Sequence, residues 1–224
     1  MSSHGAAVFD LDGLLIDSEV LWHQAELEIL VPLGAPIDPF GSRATKGMFV
    51  GEVVRYWQTR AQWHSPSVDD VAEAILQRVG DLVEQGGRLL PGALRALDVA
   101  AAAGPVALAS STPRALIDRM LTHFELTNAF DSIHSAQDEP YGKPHPGVFL
   151  TAAGALGVAP TRCVVLEDSA AGVIAAKAAR MACIAVPAAD ERADPTFSIA
   201  ELVLGSLEEL DASWLSRRYH DAAT

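Results

Sequence analysis

Apolar residues along this chain follow two patterns, short continuous runs and longer stretches with helical spacing. The run from Ala6 to Phe9 stops at Asp10, which predicts a buried strand followed by a polar loop. Between residues 17 and 89 the spacing is helical, and no strand pattern interrupts it. Later apolar runs alternate with helical segments, at 106–109, 132–135, 163–166, 184–186 and 202–204. This alternation predicts an α/β protein with a parallel sheet and helices on both faces.

Turn-forming residues mark the ends of the predicted helices. Gly86-Gly87 and Pro91-Gly92 close the first helical stretch, and further helices are predicted at 93–103, 113–123, 147–156 and 170–179. Ser206 and Glu209 have the spacing of a capping box, so we expect a C-terminal helix to begin there. In parallel sheets, ligands bind at the carboxyl ends of the strands, where the strand order changes direction. We therefore expect the catalytic or ligand-binding residues of this chain at the carboxyl ends of the strands.

The composition limits the classes of partner. The 224 residues are half hydrophobic, and 16 basic against 29 acidic residues give a formal charge of −13. We expect this surface to repel nucleic acid and anionic membranes, so a phosphorylated substrate needs a local positive charge. No signal-peptide pattern begins the chain, and no apolar segment approaches the roughly 18 residues of a membrane span. Cys163 and Cys183 lie in apolar runs, which favours buried thiols in a reducing, cytoplasmic compartment.

Two carboxylates, Asp10 and Asp12, follow the first predicted strand and are separated by one residue. Residues two apart point the same way on an extended backbone, so these carboxylates repel each other unless a divalent cation or a proton neutralises one. A bound divalent cation and a protonated carboxyl group are both suited to phosphoryl transfer. Alone, the motif is also compatible with a solvated acidic turn or a calcium loop. The calcium loop fails because Leu14, Leu15 and Ile16 stand where oxygen ligands are required.

Further polar groups follow two of the later strands or lie in a loop. Ser110 ends the run 106–109, where it could hold a phosphate oxygen, although an isolated serine there is more often a helix N-cap. Lys143 lies among turn formers in the loop 141–146, which aims its cation at one point; alone it would be a solvated charge. Glu167 and Asp168 close the run 163–166 as a second acidic pair, or simply cap the next helix.

The combination of these polar groups indicates a function more specifically than any one group does. The chain resembles the haloacid dehalogenase superfamily over nearly its whole length. Four motifs carry the resemblance, at residues 10–19 (DLDGLLIDSE), 109–113 (ASSTP), 142–146 (GKPHP) and 166–172 (LEDSAAG). Within the superfamily, the chain is similar to sugar-phosphate phosphatases related to β-phosphoglucomutase. Residues 57–66 and 178–181 are similar to bacterial 2-deoxyglucose-6-phosphate and hexitol phosphatases.

The resemblance implies a Rossmann-like core with an inserted α-helical cap domain. The expected core comprises residues 1–17 and 90–224, and the expected cap residues 18–89. The implied activity is magnesium-dependent hydrolysis of a small phosphorylated metabolite, a sugar or sugar-alcohol phosphate being expected, through an aspartyl-phosphate intermediate. In this scheme Asp10 is the nucleophile and Asp12 the general acid and base.

The other site residues are assigned from the same resemblance. Mg²⁺ would be held by Asp10, the backbone carbonyl of Asp12, and Asp168, with Glu167 acting through a bound water. Ser110 and Lys143 would bind the transferring phosphoryl oxygens. The expected substrate contacts are Ser111, Lys46 and Gly47. Further cap candidates, with each tryptophan more often a core residue, are Trp22, His23, Trp57 and Trp63.

Other functions remain as alternatives. A β-phosphoglucomutase-type phosphomutase shares these motifs, but the arginine with which a mutase cap holds the second phosphate aligns with Val50. A dehalogenase would leave Asp12 without a purpose. A non-catalytic regulatory or binding protein would lack the nucleophile or the lysine, and neither is missing. We expect a monomer with a moving cap, and the sequence leaves the substrate open because cap pockets discriminate by shape and a few polar contacts.

Overall fold

Six parallel strands form one sheet in the computed structural model, which describes residues 5–37, 45 and 48–221. Along the sheet the order is β3-β2-β1-β4-β5-β6, so the strand order changes direction beside β1. The strands are β1 (Ala6–Phe9), β2 (Val106–Ser110), β3 (Ser132–Ser135), β4 (Cys163–Glu167), β5 (Ala182–Ala185) and β6 (Leu202–Val203).

Helices cover both faces of the sheet, as the sequence predicts. In the described part of the chain they are α1 (Glu19–Leu30), α2 (Val50–Ala61), α3 (Val68–Gly86), α4 (Ala93–Ala103), α5 (Arg114–His123), α6 (Gly147–Ala155), α7 (Ala170–Ala178) and α8 (Ala212–Asp221). Because side chains alternate along a strand, Phe9 and Leu108 pack on the side of α4, α5 and α8, and Val8 and Ala107 on the side of α6 and α7.

The helices α1, α2 and α3 lie between β1 and β2 in the chain and form the inserted cap. The longest, α3, begins with a capping box in which the Ser67 hydroxyl accepts a hydrogen bond from the Asp70 amide and the Asp70 carboxylate accepts one from the Ser67 amide. Its buried face includes Val71, Ile75 and Val79, spaced four residues apart, and α1 and α2 pack against it.

The two connections between the cap helices and the sheet run side by side. Ile16 and Leu89 form an antiparallel bridge, and the amide of Asp17 donates to the carbonyl of Arg88 at 2.9 Å. The Arg88 guanidinium also pairs with the Asp17 carboxylate at 3.0 Å. We propose the domain boundaries at this double crossing, after residue 17 and after residue 89.

Two predicted elements are corrected by the structure. The strand expected at 184–186 spans Ala182–Ala185, because Ala182 and Cys183 pair with the neighbouring β4. Ser206 does not begin the C-terminal helix: its hydroxyl accepts from the Glu208 amide and caps a short 3-10 turn, and α8 starts only at Ala212.

Both cysteines are free and buried, as predicted for structural thiols. Among the helices of the described ranges, none combines the length and the apolar character of a membrane span.

Candidate active site

The carboxyl ends of three central strands bring the predicted catalytic groups together. Asp10 immediately follows β1, Ser110 is the last residue of β2, and Glu167 is the last residue of β4. All three are buried, with 6%, 1% and 0% of their surface exposed. Because β1 pairs with β2 on one side and β4 on the other, these side chains are neighbours although they come from distant parts of the chain.

Lys143 joins these strand ends. Its ammonium group lies 2.5 Å from Asp10 Oδ1, 2.7 Å from Glu167 Oε1 and 3.0 Å from the carbonyl oxygen of Ala109. The lysine side chain is only 4% exposed. An ammonium group has three protons to donate, so every one of them is directed to an acceptor. The alternative prediction, that Lys143 is a solvated surface charge, is therefore wrong. Its ammonium group is held at one point.

The charges around this lysine do not balance. Burial raises the pKa of Asp10 to about 7; Lys143 opposes this rise, and the nearby carboxylates of Glu167 and Asp12 add to it. For Lys143, burial acts to lower the pKa, but attraction to Asp10 and Glu167 raises it above its ordinary value. The lysine thus stays protonated, and the buried carboxylates exceed the positive charge that the lysine supplies.

A cluster of hard oxygen ligands lies at the same place. Carboxylate oxygens of Asp10, Glu167 and Asp168, all buried, lie within 4.8 Å of one another. This donor set and its excess negative charge fit Mg²⁺, which prefers oxygen ligands. The side chain of Asp12 is not part of the cluster, and the sequence-based scheme uses only its backbone carbonyl.

Two glycines leave room for the acidic side chains. Gly13 has a φ of +76°, and a Cβ atom there would lie 2.3 Å from Oδ2 of Asp168. A Cβ atom on Gly172, in the first turn of α7, would lie 1.8 Å from Oε1 of Glu167. Glu167 Oε2 accepts from the amide and the hydroxyl of Ser169 at 3.0 and 2.9 Å, and this hydroxyl in turn accepts from the Gly172 amide. The start of α7 therefore positions Glu167.

Asp12 is held by three hydrogen-bond donors. The hydroxyl of Ser18 donates to Oδ1 at 2.6 Å, and the indole Nε1 of Trp22 donates to the same oxygen at 2.8 Å. The Thr112 hydroxyl donates to Oδ2 at 2.6 Å. Trp22 belongs to α1 of the cap and Thr112 to the loop after β2, so both the cap and the core orient this carboxylate.

A cavity of about 380 Å³ opens between these groups and the cap. Ser110 and Ser111 line it next to Asp10, and the Ser110 hydroxyl accepts from the Thr112 amide at 3.0 Å. Ser110 lies in β2, whereas α5 begins after Pro113, so the N-cap alternative for Ser110 is wrong. The size of the cavity suits a small molecule.

The structure places some of the candidate cap residues at the cavity and others in the core of the cap. Trp22 and His23 line the cavity, whereas Trp57 and Trp63 are buried among the cap helices. Lys46 and Gly47 lie outside the described residues, although their neighbours Thr45 and Met48 line the cavity.

Sequence reasoning missed several residues of this site. Ser18 and Thr112, which bind Asp12, lie within the recognised motifs, but no local pattern shows which group they contact. Glu19 and Glu26 also line the cavity, and with Trp22 they share one helical face through spacings of three and four residues. This helical spacing is the sequence pattern from which the two glutamates could have been predicted as cavity residues. The cavity-lining pair Asp190 and Glu191, after β5, gave no signal in the sequence.

The chain is similar to known proteins over most of its length. A family model described as haloacid dehalogenase-like hydrolase matches residues 4–180. Hexitol phosphatase B of Escherichia coli (strain K12) is 46% identical over 209 residues, covering 92% of this chain and 94% of that protein.

Solved structures give the same fold. A β-phosphoglucomutase from Clostridium difficile superimposes with a TM-score of 0.83 at 25% identity, covering 97% of this chain and 98% of that one. CbbY from Rhodobacter sphaeroides, solved in complex with phosphate, has a TM-score of 0.81 at 29% identity over 92% of this chain and 96% of that one. The predicted Rossmann-like sheet with an inserted helical cap is thereby confirmed.

Proposed function

The chain belongs to the haloacid dehalogenase-like hydrolase family and is a phosphatase, and on that premise we propose that it hydrolyses a sugar or sugar-alcohol monophosphate through an aspartyl-phosphate intermediate. The observation that carries this proposal is the buried contact of Lys143 with Asp10 in the wall of the cavity. A buried carboxylate beside a fixed cation, with a second carboxylate two residues away, suits nucleophilic attack on a phosphate ester.

In the first half of the reaction, a carboxylate oxygen of Asp10 attacks phosphorus. The bond between phosphorus and the alcohol oxygen breaks, and Asp12 donates a proton to that oxygen as the alcohol leaves. Asp12 suits this role because Ser18, Trp22 and Thr112 orient its carboxyl group at the same cavity.

In the second half, water enters after the alcohol has left. Asp12 takes a proton from this water, whose oxygen attacks the phosphorus of the acyl phosphate. The bond between phosphorus and Asp10 breaks, inorganic phosphate is released and the Asp10 carboxylate is restored. Splitting one displacement into two easier steps is the benefit of the covalent intermediate.

Side chains of the core stabilise the negative charge of the phosphoryl group. Lys143, whose three protons are directed to protein acceptors, attracts the phosphoryl oxygens as a fixed positive charge, and the hydroxyls of Ser110 and Ser111, which line the cavity, bind these oxygens. We assign Mg²⁺ to Asp10, the carbonyl of Asp12, and Asp168, with Glu167 acting through a water; when bound it neutralises charge on the carboxylates and the phosphoryl group.

The phosphomutase alternative is not favoured. A mutase must hold a second phosphate in its cap, and the position that the mutase resemblance assigns to an arginine is Val50 in this chain. Val50 lines the cavity at the start of α2, where it presents an aliphatic side chain. The identity with a hexitol phosphatase supports hydrolysis of a hydroxyl-rich monophosphate instead.

The test is phosphate release from purified protein, with EDTA and after addition of Mg²⁺. The substrate panel contains 2-deoxyglucose 6-phosphate, hexitol phosphates, glucose 6-phosphate, mannose 6-phosphate and β-glucose 1-phosphate. The proposal expects release only with Mg²⁺, its loss in Asp10→Asn, and its retention in Asp98→Asn, an exposed carboxylate on α4.

Acid quenching followed by mass spectrometry should also find one phosphoryl group on a peptide containing Asp10. Conversion of β-glucose 1-phosphate into glucose 6-phosphate without phosphate release would establish the mutase instead. Full activity in EDTA, or in Asp10→Asn, would contradict the proposed mechanism.

A further inference from the structure

Glu26 is a cavity residue for which the catalytic scheme has no role. It lies on α1, one turn beyond Trp22, and its side chain lines the same cavity as Asp10 and Asp12. Four residues along a helix correspond to about 6 Å of rise. Since Trp22 contacts Asp12, Glu26 lies about that much further along α1 from the general acid. In the proposed mechanism the alcohol leaves beside Asp12, so its carbon chain would extend into the cavity that Glu26 also lines.

The carboxylate of Glu26 has no hydrogen bond or ion pair among the residues that the structure describes, yet it is partly buried. Burial alone raises its pKa to about 7. By contrast Glu28, two positions further on the same helix, points to the surface and pairs with Arg78 at 2.6 Å. A desolvated carboxylate without a partner has a free-energy cost that a ligand can remove.

The chemistry of Glu26 selects among possible leaving groups. A carboxylate accepts hydrogen bonds from hydroxyl groups, and its four lone-pair sites allow it to bind two neighbouring hydroxyls. It repels a second phosphate or a carboxylate. Glu19, Asp190 and Glu191 also line the cavity, and of the described lysine and arginine side chains only Lys143 does so, next to Asp10. Beyond the reaction centre, the part of the cavity wall formed by described residues therefore favours an uncharged, hydroxyl-rich alcohol.

We propose that Glu26 is a specificity-determining residue, which accepts hydrogen bonds from the hydroxyl groups of the alcohol portion of a polyhydroxy monophosphate. This inference depends on the proposed phosphatase function for its catalytic consequence. Its substrate class is a neutral polyol or sugar carrying a single phosphate ester, and bisphosphates are discriminated against by charge.

The test compares two substrates with the same carbon count, glucitol 6-phosphate and n-hexyl phosphate. Only the first carries hydroxyl groups on the alcohol. The ratio of their kcat/KM values is measured for wild type, Glu26→Ala, Glu26→Gln and the matched control Glu28→Gln. We expect the preference for glucitol 6-phosphate to fall about tenfold or more in Glu26→Ala, since a hydrogen bond to a charged group is lost. Glu26→Gln, which keeps one acceptor, should fall less, and Glu28→Gln should match wild type.

A binding measurement separates this inference from the phosphatase proposal. Calorimetry with Asp10→Asn and with the Asp10→Asn, Glu26→Ala double variant compares the affinity for the same two phosphates without turnover. If wild type releases no phosphate but the double variant loses the preference, the phosphatase proposal fails and the role of Glu26 stands. If wild type hydrolyses glucitol 6-phosphate and the preference is the same in all Glu26 variants, the role of Glu26 is wrong. A variant that does not fold is recognised by its circular dichroism, and Glu26→Gln, nearly isosteric, then decides.

Discussion

The indole nitrogen of Trp22 donates a hydrogen bond to Asp12 Oδ1 at 2.8 Å, which joins the first helix of the cap directly to the proposed general acid. The hydroxyl of Ser18 donates to the same oxygen at 2.6 Å. Trp22 lies in the cap and Asp12 in the core, so this hydrogen bond ties the orientation of the Asp12 carboxyl group to the position of the cap.

Replacing Trp22 should slow the chemical step. In Trp22→Phe one donor to Asp12 is lost while an aromatic side chain remains, so we expect kcat to fall by about ten- to hundredfold. The matched control is Trp57→Phe, because Trp57 is buried in the cap and its indole nitrogen has no partner among the described residues. Steady-state kinetics and urea unfolding are measured on both. Equal effects on kcat from the two substitutions would contradict a positioning role for Trp22.

Removing the buried lysine should destabilise the protein as well as inactivate it. Lys143→Met leaves Asp10 and Glu167 buried without their cation, which typically costs about 3–5 kcal/mol. Urea unfolding in EDTA measures this loss. Adding Glu167→Gln removes one of the two carboxylates, so the double variant should regain part of the stability and none of the activity. A double variant no more stable than Lys143→Met would show that the charge imbalance is not the cause.

The first turn of α7 should control the affinity for Mg²⁺. In Gly172→Ala the new methyl group collides with Glu167, so we expect the Mg²⁺ concentration for half-maximal activity to rise by about 10–100-fold. Gly154→Ala is the control, since a Cβ atom on this glycine of α6 meets nothing within 4 Å. That control should keep the wild-type Mg²⁺ dependence and gain stability slightly, because alanine favours a helix. Identical Mg²⁺ titrations for both variants would refute the packing role of Gly172.

The stability of the protein should depend on pH through Glu26. Its pKa is raised from the ordinary value of 4.5 to about 7 by burial, so between these values the folded protein binds more protons than the unfolded chain. The contribution of Glu26 to wild-type stability therefore falls as pH rises from about 4.5 through 7. We expect Glu26→Gln to be more stable than wild type at pH 8, on the order of 1 kcal/mol after screening by water, with the difference disappearing near pH 4.

Urea unfolding of both proteins at pH 4, 6 and 8 measures this dependence. Glu28→Gln is again the control: hydrogen bonding to Arg78 lowers the pKa of Glu28, so its removal should give no stabilisation at pH 8. A constant difference between wild type and Glu26→Gln at all three pH values would contradict the raised pKa.

The sequence by itself determined the sheet, the cap and the motif residues. Apolar runs that end in Asp10, Ser110 and Glu167 specify both a buried strand and the polar group after it, because the two features are local in the chain. Parallel strands then place these ends at one edge, so the sequence predicts that Asp10, Ser110, Glu167 and Asp168 lie together, and the family resemblance adds Lys143.

Only the tertiary structure decided how the groups contact one another. Thr112 lies 100 positions from the carboxylate it binds on Asp12, and no periodicity encodes such a pair. The sequence also left Trp22 and Trp57 equivalent, since both are aromatic residues on cap helices. Their separation into an Asp12 donor and a core residue depends on which helix face meets the sheet edge, a result of long-range packing. The same packing turns Glu26 towards the cavity and Glu28 towards solvent.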